Sequence, residues 1–134
     1  MKKILALSGI ALLSTAGLSL LFGQEGRPYS QIMKEIAAAN GQVKKALDAQ
    51  TSREDVASGG QKLVALFKEV EEFWTKRGAA DAIEAAKNAV AAANELADPK
   101  GIPPAKEALG RLNDTCKGCH AAHREKGEGG FKIK

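Results

Sequence analysis

The sequence predicts an all-α protein, an antiparallel four-helix bundle running up-down-up-down. Alanine is abundant, while aromatic residues and runs of β-branched residues are scarce. Glycine, proline and polar breakers recur about every 25 residues, which divides the chain into segments of helical length. Within each segment apolar residues return every three to four positions, the period of a helix with one buried face. Short connections between helices of similar length favour antiparallel neighbours.

The chain has 134 residues, the size of one domain. Met1, Lys2 and Lys3 give it a basic start, and Ile4 to Phe22 is apolar apart from small and hydroxyl residues. That is the pattern of a secretory signal, so residues 1–23 are read as a signal peptide or a retained N-terminal anchor, and 24–134 as the bundle. The run approaches the roughly 20 residues that span a bilayer, and Leu21-Phe22-Gly23 is a poor small-x-small cleavage site. Cleavage is nevertheless the preferred reading, because the remainder has the pattern of a compact soluble domain. Either way the chain is exported, which places it in the periplasm, with membrane association only through a retained leader.

The first helix starts near Pro28 to Ser30, since proline is tolerated in a first turn, and runs to about Ala49 with Ile32, Ile36, Val43 and Leu47 on one stripe. Gly41 weakens it locally. The second starts at Ser52, whose hydroxyl caps the helix while Asp55 lies three residues on. Its seam is Val56, Leu63, Phe67, Val70 and Trp74, and Arg77-Gly78 ends it. The third runs from about Ala80 to Ala97 with Ile83, Ala86, Val90, Ala93 and Leu96 or Ala97 inward, stopping before Asp98-Pro99-Lys100-Gly101. The fourth opens at Pro103 or Pro104 and carries Ala105, Leu109, Leu112, Cys116, Cys119 and His123 on neighbouring faces. Gly127, Gly129 and Gly130 end it, and the tail beyond is expected to be mobile.

The net charge is +4, with lysines and acids interspersed along every segment. This describes solvated helix faces rather than a nucleic-acid footprint, so no nucleic-acid partner is expected. Paired carboxylates, a nucleophile elbow and a phosphate loop are all missing from the sequence, which reads as a non-enzyme.

The chemistry concentrates in Cys116-Lys117-Gly118-Cys119-His120. C-x-x-C-H is the attachment signature for c-type haem, in which two thiols add to the vinyl groups and the imidazole binds iron. On a helix, cysteines three apart share one side and match two vinyl groups on one edge of the ring. A disulfide here would close a tiny loop of little stabilising value. A thioredoxin-like dithiol needs a βαβ setting, and a structural zinc site needs four ligands where only Cys116, Cys119, His120 and His123 exist, crowded in one helix.

With that motif near the C-terminus of a four-helix pattern, the chain resembles the class II cytochromes c, the group of cytochrome c′ and its low-spin relatives, over the whole of its mature length. The resemblance implies one covalent haem c, with His120 as axial iron ligand. Arg124, four residues on, stands where the family commonly carries an arginine, and with Lys126 it is a candidate to meet the haem propionates or an acidic partner. His123 replaces a common aromatic. It lies three residues from His120 on the same helix, so it is expected to pack or hydrogen-bond rather than to ligate. Ile32-Met33-Lys34 is similar to the stretch from which low-spin members supply the axial thioether, and Met33 is the only methionine after Met1. Methionine in a helix is ordinarily core filling. The resemblance favours Met33 as the sixth iron ligand.

With Met33 bound, the implied function is one-electron transport between redox partner proteins in the periplasm. The alternative is a five-coordinate cytochrome c′ binding small gases such as NO or CO, with Ile36 or Ala37 lining the open face. A third reading is a haem-free protein using the motif for zinc or thiol chemistry. Phe67, Phe73 and Trp74 are expected in the core and Tyr29 near the haem. Pairing into a homodimer through the first two helices, as in many family members, is a further implication of the resemblance.

Overall fold

The computed structural model describes residues 26–134, so the segment read as a signal peptide or anchor, residues 1–23, lies outside the described residues. Four helices follow one another: α1 Tyr29–Asp48, α2 Arg53–Thr75, α3 Ala80–Ala97 and α4 Ile102–His123. Each begins and ends within a few residues of where the breakers place it. Pro28 occupies the N-cap of α1. The Ser52 hydroxyl accepts a 3.2 Å hydrogen bond from the Asp55 N–H and so satisfies one of the free donors at the start of α2. No described helix is long and apolar enough to cross a membrane.

Neighbouring helices are antiparallel. Tyr29 at the start of α1 meets Trp74 at the end of α2. Arg53 at the start of α2 donates to the carbonyl of Pro99, just beyond α3. Asp81 at the start of α3 meets His123 at the end of α4. The core is wholly apolar among the described residues, and each helix contributes one leucine that is fully or almost fully buried: Leu47, Leu63, Leu96 and Leu112. The expected stripes are buried in α1 and α2. In α3 it is Ala82, Ala86, Ala89, Ala92, Ala93 and Leu96 that are buried, whereas Ile83 and Val90 are half-exposed at the edge of the stripe.

Two glycines set the spacing between helices. A Cβ on Gly60 would stand 2.3 Å from the Ala97 nitrogen and 2.4 Å from the Leu96 carbonyl carbon, so the backbones of α2 and α3 touch there. A Cβ on Gly59 would meet the Val43 side chain of α1 at 2.4 Å. Neither contact survives a side chain without the helices moving apart.

The tail differs from expectation. Instead of a mobile end, Arg124–Gly127 (β1) and Gly130–Ile133 (β2) pair antiparallel, with Arg124 opposite Ile133 and Gly127 opposite Gly130. The glycines read as a helix stop serve as a hairpin turn: Gly129 and Gly130 have φ of +79° and +138°, values that side chains resist. An isolated two-stranded hairpin is marginal in water. Here the Lys134 N–H donates to the His123 carbonyl at 3.0 Å, the Arg124 guanidinium stacks 3.4 Å above the Phe131 ring, and Ile133 packs against the core. The fold is thus four helices with a small two-stranded sheet, rather than purely helical.

Candidate functional site

Helices adjacent in sequence pack closely, whereas α1 and α4, the first and last, barely touch. The bundle is therefore open along one seam. Asn40 of α1 donates to the Asn113 side-chain oxygen of α4 at 2.7 Å and bridges it. Toward the end of the bundle that holds the C-x-x-C-H segment, the helices part around a cavity of about 190 Å³.

Cys116, Cys119 and His120 of α4 line this cavity, with Met33, Ile36 and Ala37 of α1 across from them. Phe67 and Val70 of α2 and Ala85, Ala86 and Ala89 of α3 form its floor. Small alanine side chains on α3 are what leave the space. A second hollow of about 380 Å³ adjoins it, sharing Tyr29, Met33, Cys119 and His120, and is bounded by Arg124, Phe131, Lys132 and Ile133 of the hairpin.

Both cysteines are free thiols, half-buried on the same side of α4. Burial pushes the Cys116 thiol up to about 11 and raises Cys119 as well. The His120 imidazole is held below its ordinary value, first by burial and then by the nearby Arg124 guanidinium, whose Nη1 is 3.4 Å from His120 Nδ1. A neutral imidazole has a lone pair to offer a metal. Among the described residues no three His, Cys, Asp or Glu side chains gather as a metal-binding group.

His123 makes the hydrogen-bonded contact expected of it: its Nε2 is 2.8 Å from Asp81 Oδ2, and its ring lies 4.7 Å from the Trp74 ring. This bond holds the Asp81 carboxyl below the usual carboxylate range. Trp74 donates its indole N–H to the Tyr29 hydroxyl at 3.0 Å, and Tyr29 stacks on Phe73 at 4.1 Å between centroids. Trp74 and Phe67 are core residues, Phe73 is half-exposed, and Tyr29 lines both hollows.

The structure thus brings Met33, Cys116, Cys119 and His120 to one cavity and places Arg124 beside its edge. Sequence reasoning missed the alanine floor, Asn40, Asp81 and the hairpin wall. The alanine pattern on α3 was readable as a buried stripe, but nothing in it distinguishes a stripe that packs from one that faces a cavity. Comparison of the chain with protein-family models, characterised proteins and solved structures gives no match.

The residues suit the haem that C-x-x-C-H implies. One imidazole and one thioether line the cavity from opposing helices, with two thiols three residues apart on the helix of the imidazole, around an apolar space at an open seam.

Proposed function

We propose that the chain is an exported mono-haem c-type cytochrome that carries single electrons between protein partners. Cys116 and Cys119 would hold the haem covalently, His120 and Met33 would supply the donors to its iron, and Arg124 stands at the cavity edge suited to a carboxylate. The observation that supports this most is that Met33 and His120, from helices that hardly touch elsewhere, line the same apolar cavity as both cysteines.

The haem supplies reversible one-electron chemistry at the iron. The protein's part is to fix the donors and to exclude water. His120 sits on the last full turn of a long helix, and Met33 on the second turn of α1, whose start is tied down through Tyr29 and Arg27. Donors held by rigid helices need little rearrangement when the iron changes charge, which favours fast transfer. A thioether with an imidazole favours the reduced state relative to two nitrogen ligands.

Optical spectra of the holoprotein and of Met33→Ala, oxidised and reduced, test the ligand pair. A low-spin spectrum with a sulfur-to-iron band that disappears in Met33→Ala is expected. A high-spin spectrum that binds carbon monoxide and ignores the substitution contradicts Met33 as ligand and leaves a gas-binding cytochrome.

A further inference from the structure

We infer that the C-terminal hairpin, Arg124–Ile133, is the outer wall of the cofactor cavity and sets the potential of the bound group by keeping water from it; this rests on the haem reading above. The four helices leave their seam open at the end of α4, and the hairpin folds back across that opening. Its second strand places Phe131, Lys132 and Ile133 on the hollow that Met33, Cys119 and His120 line from the helices. Ile133 is the inward residue of β2 and packs on the core.

The hairpin is fastened at both ends. Arg124 and Ile133 are register partners next to the helix end, and Lys134 is bound there twice, through its N–H to the His123 carbonyl and through Nζ to the Ala121 carbonyl, each at 3.0 Å. Arg124 also links the strand to the site, with its guanidinium on Phe131 and its Nη1 toward His120. A free tail has no use for these bonds. They hold Ile133 on the hollow that Cys119 and His120 line.

A ferric haem carries more positive charge than a ferrous one, so water at its edge stabilises the oxidised form and an apolar wall favours the reduced form. Removing the wall therefore lowers the potential and exposes the group to small reagents.

The test uses haem-loaded protein in three forms: the full chain, a chain ending at Arg124, and full-length Ile133→Ser. Midpoint potential and the rate of reduction by ascorbate are measured, with helical circular dichroism and intact mass for each form. The shortened chain is expected to shift its reduction equilibrium about tenfold toward the oxidised form, about 59 mV for one electron, and to be reduced several-fold faster. Ascorbate is an anion, and losing Lys126, Lys132 and Lys134 together with Glu125 and Glu128 removes a net positive charge, which would by itself slow the reaction; faster reduction reports access. Ile133→Ser is expected to move both quantities the same way by less. Unchanged potential and rate with covalent haem in place overturn the inference and leave the cytochrome reading standing. If the shortened chain loses its helical signal, Ile133→Ser alone decides, and no change there overturns the inference. A full-length chain whose mass shows no haem overturns both.

Discussion

The Trp74 indole N–H donates to the Tyr29 hydroxyl across 3.0 Å, joining the last turn of α2 to the first turn of α1 beside the cavity. Each is the only residue of its type in the chain, so both are direct spectroscopic reporters of the site.

Tyr29 is expected to ionise at about 12, because burial raises its pKa more than the Trp74 contact lowers it. A raised folded-state pKa means the native state holds the proton more tightly. The associated stability is complete below the unfolded value near 10 and is lost as pH rises through about 12. Phenolate absorbance of the folded, haem-free chain against pH measures this, and titration at 10 contradicts the burial. Tyr29→Phe removes the bond to Trp74 and is expected to cost about 1 kcal/mol in urea unfolding.

Gly60→Ala is expected to destabilise by about 1–3 kcal/mol or more, because its Cβ would press on the Ala97 backbone. Gly41→Ala is the matched control. Nothing lies within 4 Å of a Cβ there, and alanine inside a helix is favoured over glycine by roughly 0.5–1 kcal/mol. Opposite signs in urea unfolding are the expected result. Equal effects would contradict the close approach of α2 and α3.

Asp81→Asn is expected to weaken the joint between α3 and α4 and to flatten the acid side of the stability profile. His123 holds the Asp81 carboxyl below its ordinary value, so the contribution is present above the unfolded pKa and disappears as pH falls through the folded one. Urea midpoints at pH 7 and near pH 3 should differ less for the variant than for the parent. An unchanged difference contradicts the role of this pair.

Trp74 emission is expected to be strongly quenched in haem-loaded protein and restored in a double Cys116→Ser, Cys119→Ser variant purified without haem. The indole borders the hollow that Cys119 and His120 line. Bright emission from fully loaded protein would contradict that placement.

Much of this was legible in the sequence. Ile32, Ile36, Val43 and Leu47 mark the buried face of α1 because a 3.6-residue period has one physical outcome, and Ser52 reads as a cap because its hydroxyl is the nearest acceptor for the free N–H groups of α2. Cys116, Cys119 and His120 were legible as a group because their spacing is itself the chemistry. Met33 was not legible from periodicity: it sits beside the Ile32 and Ile36 stripe, and only packing shows that it faces α4. The hairpin was missed for a related reason. Gly127, Gly129 and Gly130 signal a chain reversal and a helix stop equally well, and the contacts that fasten the Arg124 to Ile133 hairpin to α4 and the core are ones that no local pattern records.

The central claim is a haem bound covalently through Cys116 and Cys119, and its most direct test is intact mass and pyridine haemochrome spectrum after acid–acetone extraction of chain produced with haem-attachment machinery. Haem that stays with the protein, adds the mass of one group and gives the spectrum of a ring with both vinyls saturated is the expected result. Colourless protein of apo mass, or haem that extracts into the solvent, would contradict it.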